Sequence, residues 1–375
     1  MRNIGIFTHD LYPFKPWGQG RYVHDLARYM RAEYKEKIFV FSPSNHINDD
    51  QHIQIFPGSH KSIGKNIAFS IRLASVIEKL IDNYDLGLVH LQGGPGGLLL
   101  LKKPSAPLVY TVHHTYYQQA RYIRSQGWKK ILYLWEKFGY HRSNYIMCDS
   151  ESTRRIVLRH YGIRGIPCET IPVGVDNNRF FPLGLERVPN SLLFLGRLES
   201  RKGIDFLIRT IPIVKERLRD IQLFIGGDGL LKSYLDYFIK ANNLENNVHL
   251  LGTIADSALN EWYNKVSVVI IPSVFEGFGL TAIEAMACGT PVIATDVDAL
   301  RDVIEDGENG LLVPYNDIET LSTKILYLLR NQAEQSKFSI NGRKKVQTVF
   351  SWDNITREIL RGYEYVSEKS KQLKQ

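Results

Sequence analysis

The chain has 375 residues, of which 44% are hydrophobic and 23% charged, the profile of a soluble globular protein with room for two domains. The formal net charge is +8, and the excess lies in residues 1–180, where 24 Lys and Arg face 14 Asp and Glu. Three cysteines far apart in sequence exclude a closed disulfide framework and a cysteine-spaced metal site, and no apolar run reaches the roughly 18 residues of a spanning helix.

The N-terminus runs straight into an apolar stretch at residues 4–8 with no signal-peptide pattern. Together with the unpaired cysteines, this leads us to expect a cytoplasmic protein. Further strands are predicted at 38–42, 86–91, 108–112 and 144–148, with helical patterns at 20–34 and 67–83. A second series follows, with strands at 191–195, 221–225, 248–251, 266–271 and 291–294 and a helix at 204–219. Continuous apolar strands separated by amphipathic helices mean parallel sheets covered on both faces. Two series predict two doubly wound α/β domains, 1–175 and 190–350. The join falls in 171–190, which carries Pro172, Gly174, Pro182, Gly184 and Pro189. Residues 351–375 form a polar helical tail, expected to cross back to the first domain. Open parallel sheets bind ligands beyond the carboxyl ends of their strands, so the cleft between two such domains is the natural site.

In chain order, the first candidate is Trp17-Gly18-Gln19-Gly20-Arg21, at a helix start. A dinucleotide fingerprint needs a third glycine and an acidic residue after the second strand, and both are missing, which argues against NAD. The strand at 108–112 delivers His113 and His114. An imidazole there can bind a hydroxyl, steady developing charge, or simply cap the strand end. Residues 116–142 carry Arg121, Arg124, Lys129, Lys130, Lys137 and Arg142 against Glu136 alone. Trp128, Ile131, Leu132, Trp135 and Phe138 recur there at helical spacing. Such a stripe packs on its own sheet or lies on an anionic membrane, and Lys102 and Lys103 extend the basic flank. The basic half has no nucleic-acid recognition motif.

In the second half, Gly196-Arg197-Leu198-Glu199-Ser200-Arg201-Lys202-Gly203 follows a strand. Arg197 and Lys202 flank a turn from which both can reach one diphosphate, and Arg201 reads as the spare, solvent-facing cation. The densest signal is Pro272-Ser273-Val274-Phe275-Glu276-Gly277-Phe278-Gly279-Leu280, leading into a helix that holds Glu284 and stops at Gly289. Two glycines and a helix N-terminus suit phosphate. A carboxylate can accept two hydroxyls of a ribose or hexose diol. The alternative is that Glu284 is a helix charge paired to a neighbouring cation.

These motifs, with Gly226-Gly227-Asp228-Gly229 and Pro291-Val292-Ile293-Ala294-Thr295, occur in an order that resembles the retaining glycosyltransferases of family 4. The resemblance covers nearly the whole chain and is clearest from 190 to 315. It implies the GT-B architecture, two facing Rossmann-like domains with an interdomain cleft. It also implies transfer of a sugar from a nucleoside-diphosphate sugar to an acceptor hydroxyl with retention. In that family the residues matching Arg197 and Lys202 hold the diphosphate, the one matching Glu284 holds the ribose, and the one matching Glu276 lies at the donor sugar. Amides of Gly277, Phe278, Gly279 and Leu280 help to bind sugar and phosphate. The base would lie near Gly252, Thr253 and Ile254. The loop of Gly18 and Gly20 would lie near the donor phosphates and sugar, and His113 would face that sugar. The resemblance implies cationic side chains and helix dipoles in place of a divalent metal, so Asp296-Val297-Asp298 is not expected to bind one. The chain departs from the family's usual pattern at Asp298-Ala299, often Gly-Gly, and at Val173, often Asn. Expected partners are the donor, a glycan, lipid-linked or small-molecule acceptor, and peripherally the anionic inner face of the cell membrane. Competing readings are a GT-B hydrolase or epimerase of nucleotide sugars, and a non-catalytic sugar-nucleotide binder.

Overall fold

The apolar runs of the first half become strands of one parallel sheet, and those of the second half become another. The computed structural model describes residues 2–12, 18–35, 37–43, 50–56, 63–93, 103–122 and 130–372. The first unit comprises Met1–Gly174 together with Trp352–Gln375, and the second Val175–Ser351.

In the first unit, strands β1 (Asn3–Phe7), β2 (Ile38–Ser42), β3 (His52–Gln54), β4 (Leu86–Gln92), β5 (Leu108–Val112), β6 (Tyr145–Cys148) and β7 (Cys168–Thr170) alternate with helices α1 (Gln19–Glu33), α2 (Ile63–Asn83), α3 (Tyr116–Tyr122), α4 (Lys130–Arg142) and α5 (Glu151–His160). The sheet order is β3-β2-β1-β4-β5-β6-β7, so the strand order reverses between β1 and β4. In the second unit, β8 (Ser191–Leu195), β9 (Gln222–Gly226), β10 (Val248–Gly252), β11 (Val268–Ile271), β12 (Val292–Thr295) and β13 (Leu311–Val313) alternate with α6 (Ile204–Arg217), α7 (Lys232–Ala241), α8 (Leu259–Lys265), α9 (Leu280–Ala287), α10 (Asp298–Val303), α11 (Ile318–Arg330) and α12 (Gln332–Val349). Their order, β10-β9-β8-β11-β12-β13, reverses between β8 and β11. The chain closes with α13 (Trp352–Gln372), which packs on α1 and β4 of the first unit.

Each sheet has its own core. Phe7 stacks on Phe41 at 4.4 Å beside Val89, Tyr110 and Ile146 in the first. Leu192, Phe194, Leu223, Ile225, Val268 and Ile293 fill the second. Trp352 is buried, stacks on Tyr29 and lies against Gly174, where an added Cβ would come within 2.5 Å of the indole.

The single apolar stripe expected in residues 116–142 divides. Leu132 is buried against Tyr116 with Trp135 packed beside them, while Leu134 and Phe138 are 56% and 60% exposed. A three-residue step falls short of a helical turn by about 60°, so two such steps carry Phe138 out of the inward face. Lys102, Arg124, Trp128 and Lys129 of that reading, and the side chain of Ile131, lie outside the described residues. Among the described residues no helix is long and apolar enough to cross a membrane. Cys148 and Cys168, remote in sequence, meet across β6 and β7 with sulfurs 3.9 Å apart, both as free thiols.

Candidate functional site

The two motif loops of the second unit leave β8 and β11, the strands at its switch point, and the backbone locks them together. Gly203 sits at φ +67° with the Pro272 carbonyl so close that an added Cβ would lie 1.8 Å from it. Val274 N–H donates to Arg201 O at 3.0 Å. This approach brings Lys202 Nζ to 2.6 Å from Glu276 Oε1, which also accepts from Ser273 Oγ at 2.6 Å. Burial pushes the Glu276 carboxyl up, but the Lys202 and Arg201 charges and the hydrogen bonds from Lys202 and Ser273 outweigh it and hold the group below its usual range. Burial pushes the Lys202 ammonium down, Glu276 resists, and Arg201 and Arg197 add to the fall.

The expectation for Arg201 is corrected. Its side chain is 19% exposed, whereas Arg197 is 61% exposed and pairs through Nη1 with Glu199 at 3.0 Å. The 3-10 turn Ser200–Lys202 and the Arg201–Val274 bond draw Arg201 inward. Loops from β9 and β10 are stitched alongside. Gly227 lies so close to the Gly196 carbonyl that an added Cβ would be 1.9 Å away, and Gly227 N–H donates to Gly252 O at 2.7 Å. Thr253 is exposed, while Ile254 is buried on Gly226.

Gly279, at φ +115°, caps the N-terminus of α9, and Phe278 anchors the loop against Phe350 with ring centroids 5.6 Å apart. Among the described residues no backbone carbonyl accepts from the amides of Gly277, Phe278, Gly279 or Leu280. Those are the donors a helix N-terminus offers to an anion. Within α9, Glu284 is buried and its Oε2 accepts from Tyr263 Oη at 2.7 Å. Asp296 and Asp298 both face Arg301, with Asp296 Oδ2 accepting from Nη2 at 2.8 Å and Asp298 Oδ1 at 3.3 Å from Nη1, so one guanidinium engages both carboxylates and offsets part of their charge.

In the first unit, parallel register assembles a polar row beyond the strand ends. Gln92 pairs with Thr111 across β4 and β5, and Val112 with Cys148 across β5 and β6, which sets His113 beside Asp149. His113 is buried, with Nδ1 2.6 Å from Asp149 Oδ2 and Nε2 3.0 Å from Gln92 Oε1. Tyr22 of α1 packs edge-on against the imidazole at 4.8 Å. Gly18 precedes α1 at φ +61° with open space where a Cβ would stand, and Gly20 is buried in the first turn.

The model of the family described as glycosyl transferases group 1 matches residues 176–345, and that of glycosyltransferase family 4 matches residues 17–179. The chain is a family 4 glycosyltransferase of the group 1 type. A phosphatidyl-myo-inositol mannosyltransferase of Mycobacterium leprae is 28% identical over 94% of both chains. Sucrose-phosphate synthase from Thermosynechococcus elongatus superposes with a TM-score of 0.85 at 24% identity, covering 98% of this chain and 99% of that one. Anabaena HepE, solved with UDP and glucose, gives 0.77 at 19% identity, covering 96% and 99%. The architecture is therefore GT-B, two Rossmann-like parallel-sheet domains.

In this glycosyltransferase, Lys202, Glu276 and the 277–280 loop come together, and Arg197 reaches outward from the adjacent loop held by Glu199. Sequence reasoning missed Ser273, Tyr263, Gln92 and Asp149. Gln92 and Asp149 end or follow strands flanking β5, and that position was the available signal. Tyr263, remote from Glu284 in sequence, left none.

Proposed function

We propose that this glycosyltransferase moves a sugar from a nucleoside-diphosphate sugar to an acceptor hydroxyl with retention and without a divalent metal. The observation that carries the reading is the locked pair of loops at the β8/β11 switch point, where Lys202, Arg197 and the unaccepted amides at the start of α9 supply cationic and N–H donors. These are what a leaving diphosphate needs as negative charge develops on it. Glu284, oriented by Tyr263, takes the ribose hydroxyls. Glu276 lies on the donor-sugar side of the same loop, its carboxylate kept ionised by Lys202. Neither glutamate is assigned acid–base chemistry. Attack on the face that the diphosphate leaves gives retention with no protein nucleophile. With Asp296 and Asp298 engaged by Arg301, the cationic loop takes the role of a metal.

The acceptor belongs to the basic first unit, which fits a lipid-linked or other anionic acceptor and peripheral contact with anionic lipid. The relatives' names, a mannosyltransferase and a protein solved with UDP-glucose, guide the first donors to try, nucleoside-diphosphate mannoses and UDP-glucose. Nucleoside diphosphate release is measured with each, with and without phosphatidylinositol vesicles, and with EDTA. Acceptor-dependent release that EDTA leaves intact supports the proposal. Full-rate release of free sugar from donor alone makes the protein a hydrolase, and binding without turnover makes it a binder.

A further inference from the structure

The turn that carries Arg197, Arg201 and Lys202 also carries one carboxylate, Glu199, at its centre. Its backbone is fixed from both sides, with Glu199 N–H donating to Arg197 O at 2.8 Å and Glu199 O accepting from Lys202 N–H at 2.9 Å. Leu198 before it is tied to the loop after β9, its N–H donating to Asp228 O and its carbonyl accepting from Leu231 N–H, both at 2.9 Å. Movement of Glu199 is therefore movement of its side chain. That carboxylate sits between two arginines, with Oε1 3.0 Å from Arg197 Nη1 and Oε2 3.9 Å from Arg201 Nε. Lys202 is engaged by Glu276 at 2.6 Å. Each cation assigned to the diphosphate thus faces a carboxylate of the chain's own. The two pairs differ in exposure, with Lys202 and Glu276 at 20% and 12%, Arg197 and Glu199 at 61% and 31%. An ion pair so open to water is weak and opens readily. A diphosphate offers the same guanidinium more charge and a bidentate geometry.

We propose that Glu199 is a stand-in anion for the diphosphate. It holds Arg197 before the donor binds, yields it to the diphosphate, and takes it back as the nucleoside diphosphate leaves. The proposal rests on the reading of Arg197 and Lys202 as the diphosphate site. Arg201 gives the displaced carboxylate a partner, because Glu199 Oε2 already faces its Nε and the Arg201 side chain, 19% exposed, is held in place by the loop after β11. Two effects then act with one sign. The diphosphate has to open the Arg197–Glu199 contact, and a carboxylate inside its cradle repels it. Both loosen the grip on the product, so Glu199 sets the affinity below what the three cations alone would give. Glu199 acts through Arg197 and is a positioning residue.

The test is a double-mutant cycle on the full chain, read by calorimetric titration with UDP and with GDP. Wild type, Glu199→Gln, Arg197→Ala and the double variant are compared, with Lys202→Ala as a control on the site. Glu199→Gln should bind the nucleoside diphosphate about two- to fivefold more tightly, the span of an exposed ion pair. In the Arg197→Ala background the same change should gain less, because the contact is already gone. Damage to the fold cannot mimic a gain in affinity. Equal or weaker binding by Glu199→Gln overturns the proposal, and so does a gain that survives undiminished without Arg197. If neither UDP nor GDP binds wild type, or Lys202→Ala binds as wild type does, the diphosphate reading falls and the proposal with it. Binding that depends on Lys202 but ignores Glu199 removes the proposal alone.

Discussion

Lys202 and Glu276 form the tightest charged contact between the loops that leave β8 and β11, and its pH behaviour has a definite sign. Glu276 lies below its ordinary range in the folded protein, so its ionised form adds stability above the unfolded pKa of about 4.3, and that stability is lost as pH falls through the lower folded value. Glu276→Gln should therefore be less stable than wild type at pH 7, and the gap should close as denaturation is followed down through pH 4. A gap constant with pH contradicts the assignment. At the same scale, Arg197→Ala is expected to lower kcat about a hundredfold while leaving the melting temperature within a degree or so, because the side chain is 61% exposed and its pairing with Glu199 is superficial. Undiminished turnover at saturating donor removes Arg197 from the site. Single residues were also where the sequence was least legible. Glu276, Glu284, Lys202 and Arg197 sit in recognisable strings, but Tyr263, Gln92 and Asp149 are lone polar residues. Register and packing alone place them beside Glu284 and His113.

At the scale of elements, glycine positions distinguish close approach from mere turning. Gly203 has the left-handed conformation and a carbonyl in the way of any Cβ, whereas Gly252 has the same φ of +67° with nothing within 4 Å. Gly252→Ala should cost about 1 kcal/mol, the strain of that conformation alone. Gly203→Ala should cost clearly more and separate the β8 and β11 loops, weakening Lys202–Glu276. Urea denaturation of both variants checks the difference, and equal costs contradict the packing. The strands read well from sequence wherever an apolar run was five residues or so, as in β2, β5 and β8, all buried along their length. The three-residue strands β3, β7 and β13 went unread because so short a stretch carries no periodicity. They lie at the sheet margins, where pairing with one neighbour defines them.

At the scale of the whole molecule, the chain leaves its first unit after Gly174 and returns at Trp352, two residues in direct contact. Trp352→Ala removes a fully packed indole, so it should cost about 3–5 kcal/mol. Faster amide exchange should follow across α1 and β4, which α13 covers. Unchanged exchange there would show that α13 does not hold the unit together. The central claim concerns the second unit, that its switch point grips a nucleoside diphosphate with Glu284 on the ribose. The direct measurement is calorimetric titration of wild type and Glu284→Gln with a nucleoside diphosphate and its 2′,3′-dideoxy form. Wild type should prefer the ribose form about tenfold or more and Glu284→Gln should lose that preference. The same preference in both proteins would contradict the account.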